Sequence, residues 1–378
     1  MILTLLNAIN AAPKTTLLRL FFLLAATLAA TARVTSALQI GPLLSTCVDA
    51  CQRGCTEIRR VHEEASRGTS ADGSSSLKVK FKDAKDPRTA LTEADCAAQR
   101  AIVTGLRSEW GSDLRIVGEE DDDDNDDNNS ESSFDPLKRD LFDDDIGETA
   151  EIDPSEVTIF VDPLDGTREF VEGRLENCQV LVGVAIGGES VAGAIGIPFP
   201  AGDDLTKEST IVYGLADMGS GVVGETLTRG PFPLAHNVDG VKLPRPHIAT
   251  GDNSHAVMTA AKKGAIQMFG GSNVVYGGAG NKILAAALGE VACSIQHKVG
   301  GPWDLCAPQA ILKAMGGQMT DLFGQEIDVY RPDSPERGSE KGYLASAPGA
   351  GELFHDKLVA AMLALPEVHK YREDLNEI

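Results

Sequence analysis

Val157-Thr158-Ile159-Phe160-Val161-Asp162-Pro163-Leu164-Asp165-Gly166-Thr167 decides how the chain reads. Val157 to Val161 is an apolar, β-branched run that predicts a buried strand. Pro163 and Gly166 force a turn after it. Asp162 and Asp165 can then converge at the end of the strand. Carboxylates so close repel unless a proton or a cation intervenes. Mg²⁺ takes oxygen ligands, usually one or two carboxylates beside a substrate phosphate. An Asp-rich turn alone means little, but three distant features point to the same place.

At 378 residues the chain can bury a large core, and two domains are expected. Abundant glycine and few aromatics favour an α/β or α+β enzyme over a helical bundle. The net charge of −22 argues against a nucleic acid polymer as partner. Most of that excess lies between Glu119 and Glu151. Within it, Asp121 to Ser133 is low-complexity acidic sequence that cannot bury apolar surface, so a solvated, largely disordered insertion over 121–151 is expected. There are seven cysteines. Cys47, Cys51 and Cys55 recur every four residues, and no Cys-x-x-Cys or neighbouring His completes a zinc site. They read as buried or half-buried free thiols rather than a disulfide framework.

The first acidic residue is Asp49. Lys14 and Arg19 precede the apolar run Leu20 to Ala32, and Thr35-Ser36-Ala37 follows. A basic region, a short apolar region and a small-residue end describe a cleaved targeting segment over 1–37, with a retained membrane anchor as the alternative. The run is short for a transmembrane helix, so no stable span is expected after processing. The acid-free composition points to an organelle or the secretory pathway: plastid or ER/Golgi lumen, less so mitochondrion. The remainder divides into an N-terminal α+β domain over 38–200 carrying the metal site, and a C-terminal α/β domain over 201–378. Pro200 to Lys207 is the expected junction.

Working outward, Leu43 to Glu64 predicts a helix. A second helix follows Thr89-Ala90-Leu91-Thr92-Glu93-Ala94-Asp95 and runs to about Trp110. Arg115 to Gly118 predicts a short strand with Glu119-Glu120 at its end. Strands are expected over Gln179 to Ile186, Ser190 to Ile197, Ile211 to Gly224 (a pair), His247 to Thr250 and Val291 to Gln296. Helices are expected over His255 to Lys263, Asn281 to Leu288 and Leu305 to Met315, the last with one apolar face. Asp304 opens that last helix, either as its N-cap or as a ligand facing a cleft. Asp95, Glu119, the Asp162/Asp165 pair and Asp304 thus each follow or open a regular element, where open α/β sheets place their sites. No Ser-His-Asp or Cys-His arrangement and no P-loop accompanies them. Clustered carboxylates without a strong nucleophile suggest metal-assisted hydrolysis of a phosphate ester.

Gly118-Glu119-Glu120, Asp162-Pro163-Leu164-Asp165-Gly166-Thr167 and Trp303-Asp304, in this order, resemble the lithium-sensitive, magnesium-dependent phosphomonoesterases of the inositol monophosphatase superfamily. Gly277-Gly278-Ala279-Gly280-Asn281-Lys282, Trp303-Asp304-Leu305-Cys306-Ala307-Pro308 and Arg168-Glu169-Phe170-Val171-Glu172-Gly173 look most like the 3′(2′),5′-bisphosphate nucleotidases. The resemblance implies an α+β fold, a layered α/β/α/β/α sandwich of the inositol monophosphatase and fructose-1,6-bisphosphatase type. It implies Mg²⁺ held by Glu119, Asp162, the Leu164 carbonyl, Asp165 and Asp304, with Asp95 and Thr167 activating a water. Gly166 and Thr167 amides can cradle phosphate oxygens. Ser254-His255 matches a position that contacts the nucleotide. Lys282 matches one near its phosphate, and is the expected cation for the 5′-phosphate, a role that His255 could share. One departure is that related nucleotidases often carry lysine just before Trp-Asp, where this chain has Gly301-Pro302.

The function implied is removal of the 3′-phosphate from adenosine 3′,5′-bisphosphate, and also from 3′-phosphoadenylyl sulfate. The nearest alternative is an inositol polyphosphate 1-phosphatase or inositol monophosphatase-like phosphatase, sharing the metal site. An alternative of another class is a cation-binding protein without turnover. The Asp95/Thr167 pair speaks against the latter.

Overall fold

The computed structural model describes residues 38–67, 79–81, 90–111, 114–120, 135–142, 152–227, 229, 247–269, 271–331, 340–350 and 354–376. The expected targeting segment and the acidic stretch 121–133 lie outside them. Within the insertion expected over 121–151 to be largely disordered, residues 135–142 are packed instead, with Leu137 buried and Arg53 donating to the Asp135 and Pro136 carbonyls at 2.7 and 2.8 Å.

The first described helix, α1 (Ile40–Arg67), buries Leu43, Leu44, Cys47, Val48, Cys51, Cys55, Ile58 and Val61 along one stripe. Its outer face pairs Arg60 with Glu57 and Glu64, each at 2.9 Å. β1 (Val79–Phe81) and β2 (Ala90–Thr92) pair antiparallel. β2 leads directly into α2 (Glu93–Trp110). Thr92 caps this helix in a reciprocal box: its hydroxyl accepts from the Ala94 amide at 3.1 Å, and the Asp95 carboxylate accepts from the Thr92 amide at 2.7 Å. Six of the seven cysteines are buried free thiols and Cys96 is exposed.

A six-stranded sheet follows, in the order β3 (Arg115–Gly118), β4 (Val157–Asp165), β5 (Gln179–Ile186), β6 (Glu189–Ile197), β7 (Thr210–Leu215) and β8 (Gly219–Gly224). β3 runs parallel to β4, and every later pair is antiparallel. Between β4 and β5 lies the short helix α3 (Thr167–Val171). The second sheet uses β9 (His247–Thr250), then α4 (Ala256–Phe269), β10 (Ser272–Val275), α5 (Ala279–Ala287), β11 (Cys293–Gln296), α6 (Cys306–Ala314), β12 (Gln318–Thr320) and β13 (Tyr343–Ser346). Its strand order is β10-β9-β11-β13-β12. α7 (Phe354–Leu363) and α8 (Pro366–Asn376) close the chain.

Strand alternation sorts the layers. Tyr343 and Ala345 of β13 join a core with α5, α6 and the inner face of the first sheet. Leu344 between them joins a second core with α4, α7 and α8. α1 and α2 pack together and against the first sheet. The order is therefore helix, sheet, helix, sheet, helix, as expected. The boundary drawn at 200/201 needs correction. It falls in the connection between β6 and β7, neighbours in one antiparallel sheet. The change of sheet comes between Gly224 and His247, and residues 39–378 form one unit.

α6 lies very close to the first sheet. A Cβ on Gly183 would stand 2.5 Å from the Ala307 nitrogen, and one on Gly193 2.6 Å from the Ala307 Cα. Only glycine lets the helix backbone approach so far.

Candidate active site

Two aspartates three residues apart in a regular strand point to opposite faces. β4 solves this with a bulge. Asp162 stands opposite Leu181 and Asp165 opposite Gln179, so three steps on β4 match two on β5. Pro163, which has no N–H to give, sits inside the bulge. The strand thus runs on to Asp165 instead of ending at Val161, and the chain turns at Gly166, whose φ of 91° is left-handed. The Asp162 carboxylate accepts from the Leu164 amide at 3.0 Å, which fixes the orientation of that peptide.

Asp304 comes from a single 3₁₀ turn, Pro302–Asp304, just ahead of α6. Its carboxylate accepts from the Gly301 amide at 2.8 Å. Ligand oxygens of Asp162, Asp165 and Asp304 lie within 4.8 Å of one another, although the three residues are 1%, 5% and 8% exposed. Glu119 stands beside Asp162 at the end of β3, its amide bonded to the Val161 carbonyl at 3.0 Å. α2 holds this loop through Gln99, whose Oε1 accepts from the Glu120 amide at 3.2 Å. The amides of Ala279 and Asn281, at the start of α5, donate to Asp165 at 2.8 and 3.2 Å.

Burial raises the pKa of each of these aspartates. Asp162 is pushed further by Glu119, Asp165 and Asp304. Asp304 is pushed up to about 8 by burial, then by Asp165 and Glu119. Asp165 is raised by burial and partly relieved by Lys282. A buried set of mutually repelling oxygen donors calls for a hard divalent cation. Leu164 lines the same cleft.

Asp95 reaches the site from the first turn of α2. Its Oδ2 accepts from the Thr92 hydroxyl at 2.6 Å, and its Oδ1 accepts from the Thr167 hydroxyl at 3.0 Å. Thr167 Oγ1 also lies 3.1 Å from the Leu164 carbonyl. Burial lifts the Asp95 pKa to about 7, against the pull of the Thr92 and Thr167 hydrogen bonds.

These groups open onto a cleft of about 1020 Å³. Glu119, Asp162, Leu164, Asp165, Gly166 and Thr167 line it, as do His255, Lys282 and Asp304. Of the residues expected at the site, only Asp95 is not among the cleft's walls; it stands one hydrogen bond behind Thr167. His255 is exposed, with its ring stacked on His297 at 4.7 Å and 11°. Lys282 is 4% exposed and its ammonium donates to the Gly278 carbonyl. Its charge faces Asp165, then Asp304, so it stands at the carboxylate end of the cleft. Residues not foreseen include Gln99, His297 and Lys298. The sequence led from Thr89–Asp95 into a helix without marking the Thr92/Asp95 capping box, and nothing marked Gln99, which matters only because α2 crosses the Glu120 backbone.

A profile of the inositol monophosphatase family matches residues 42–364. The chain belongs to that family. It is 30% identical over 316 residues to 3′(2′),5′-bisphosphate nucleotidase 1 of Dictyostelium discoideum, covering 81% of this chain and 93% of the relative. It is 31% identical to the Golgi-resident adenosine 3′,5′-bisphosphate 3′-phosphatase of Rattus norvegicus, covering 87% and 82%. Among solved structures, the extragenic suppressor protein suhB from Bartonella henselae has the same fold, with a TM-score of 0.58 at 18% identity over 85% of this chain and 98% of that one. An IMPase from Thermotoga maritima matches with a TM-score of 0.52 at 21% identity, over 85% and 97%.

Proposed function

We propose that this protein is a Mg²⁺-dependent phosphomonoesterase that removes the 3′-phosphate of adenosine 3′,5′-bisphosphate, giving AMP and phosphate, with 3′-phosphoadenylyl sulfate as a second substrate. The observation that carries the reading is the meeting of Asp162, Asp165 and Asp304 within 4.8 Å, beside the Thr167–Asp95 hydrogen bond of 3.0 Å. The names of the relatives, a 3′(2′),5′-bisphosphate nucleotidase and an adenosine 3′,5′-bisphosphate 3′-phosphatase, support the nucleotide.

Glu119, Asp162, the Leu164 carbonyl, Asp165 and Asp304 would hold the cation. When bound, Mg²⁺ supplies positive charge to the phosphoryl oxygens and lowers the pKa of water at the site. The chain's own part is proton transfer and positioning. Ionised Asp95 takes the single Thr167 hydroxyl hydrogen, which leaves a Thr167 lone pair free to accept a proton from water in the cleft. Asp95 is the final proton acceptor, and its pKa near neutrality suits that task. Lys282, at the carboxylate end, is assigned to the phosphate being cleaved rather than to the 5′-phosphate. His255 flanks the opening and is assigned to the nucleoside side. The basic and apolar start of the sequence, with the Golgi-resident relative, supports action in a secretory-pathway lumen.

Phosphate release from a panel of esters tests the reading. Adenosine 3′,5′-bisphosphate should be hydrolysed with Mg²⁺ in preference to inositol 1,4-bisphosphate, and Li⁺ should inhibit. Preference for the inositol ester would replace the nucleotide by the inositol reading. No release from any ester would leave a cation-binding protein.

A further inference from the structure

We propose that Lys298 recognises the second anionic group of the substrate, the phosphate that is not cleaved. The assignment rests on the two-phosphate substrate proposed above.

The cleft is a hostile place for a second dianion. Glu119, Asp162, Asp165, Glu169, Asp252 and Asp304 all line it. Recognition of a phosphate away from the cation site therefore needs a protein cation that can turn to meet it. Among the described residues, the lysines and arginines lining the cleft are Arg168, Lys282 and Lys298. Arg168 is held by two carboxylates, Glu172 at 2.9 Å and Asp252 at 2.7 Å. Lys282 is buried against Asp165 and Asp304. Lys298 differs from both. Its side chain is 56% exposed, and its ion-pair partner is Glu340 at 3.3 Å, itself 36% exposed. An ion pair this exposed contributes little. A phosphate dianion offers more charge and more acceptor oxygens than one carboxylate.

The backbone around the pair is fixed. The Gln296 side-chain amide donates to the Lys298 carbonyl at 2.6 Å. The Tyr371 hydroxyl of α8 lies 3.1 Å from the His297 carbonyl and 2.6 Å from that of Glu340. α8 thus pins both segments that carry the ion pair, while the two side chains stay in solvent. Lys298 can leave Glu340 for a phosphate by side-chain rotation alone. His297 at its side stacks on His255, so the lysine, the two rings and the cleft wall form one continuous rim. Nearer to Asp304, a lysine at position 301 would have to displace the Trp303 ring. The Trp303 ring lies on Gly301, where a Cβ would meet it at 2.5 Å.

The test compares adenosine 3′,5′-bisphosphate with 3′-AMP, which lacks the 5′-phosphate. Lys298→Ala should raise KM for the bisphosphate about tenfold with kcat within about twofold, and leave KM for 3′-AMP in place. Lys298→Arg should restore most of the loss. Glu340→Gln should lower KM for the bisphosphate, because it removes the competing carboxylate; a merely solvated lysine would give no such gain. Wild-type nucleotide preference with an unmoved KM in Lys298→Ala, or equal losses on both substrates, overturns the assignment alone. Wild-type preference for inositol phosphates overturns the substrate reading and the assignment with it.

Discussion

Asp95 carries two duties on one carboxylate. Oδ2 closes the capping box of α2, and Oδ1 holds the Thr167 hydroxyl. Both contacts favour the ionised form, and burial opposes them, with the balance at about 7. A base must be ionised to act, so turnover should rise with pH through the neutral range. Thr92→Val removes the hydroxyl hydrogen bond that favours ionisation. The Asp95 pKa then moves further up, and the acid limb of the kcat/KM profile should shift to higher pH. The same change removes an N-cap, worth about 1 kcal/mol of stability. A pH profile of the variant checks this; a limb that stays in place while stability falls would leave Asp95 a structural cap only.

At the scale of elements, the site depends on how closely α6 lies against β5 and β6. Asp304 comes two residues before that helix, so its position is set by the glycines beneath Ala307. Gly193→Ala should push the helix outward at an overpacking cost of about 1–3 kcal/mol. Turnover should fall as well, since Asp304 moves with the helix. Urea unfolding and phosphate release on the folded fraction measure the two effects, and an unchanged kcat would show that Asp304 is held independently of α6. Other elements differ in how they could be read. α1 and β4 to β7 are long or strongly patterned, and the sequence marks them. β10, β12 and β13 have four residues or fewer and were not expected, whereas β3 and β9, equally short, were. α8 buries Val368 alone among its residues, so its helical pattern is faint, yet its Tyr371 braces the rim of the cleft.

At the scale of the molecule, the carboxylate cluster joins β4 of the first sheet to the turn that opens α6, between the sheets. Without a cation this junction is under electrostatic load. Asp95, Asp162, Asp165 and Asp304 all have pKa values raised above the ordinary value near 4, two of them to about 7 and about 8. From about pH 4 to about pH 8 the folded chain therefore binds more protons than the unfolded one, and stability falls as pH rises. In chelator, Tm should drop between about pH 5 and about pH 8. Added Mg²⁺ should raise Tm more at the upper pH, where the carboxylates are ionised and free to bind it. A Tm in chelator that climbs over this interval would contradict the raised values.

The sequence by itself determined the class of fold, the order of most elements and the identity of the acidic cluster. Those are matters of local pattern: a β-branched run, short acidic motifs and apolar helix faces, each written within about a dozen residues. It also placed Asp162, Asp165 and Asp304 together, through the resemblance of short motifs. Only the tertiary structure decided how they meet. A bulge, rather than a simple turn, brings Asp162 and Asp165 to one side, because pairing with β5 must absorb one extra residue. Only tertiary packing buries Lys282 at the carboxylate end and leaves Lys298 at the open rim. The two lysines are chemically identical in sequence, and burial and neighbouring charge separate their roles. Those are properties of surfaces assembled from distant segments, such as the α5 start beside β4 and Tyr371 beside His297, and no local pattern encodes them.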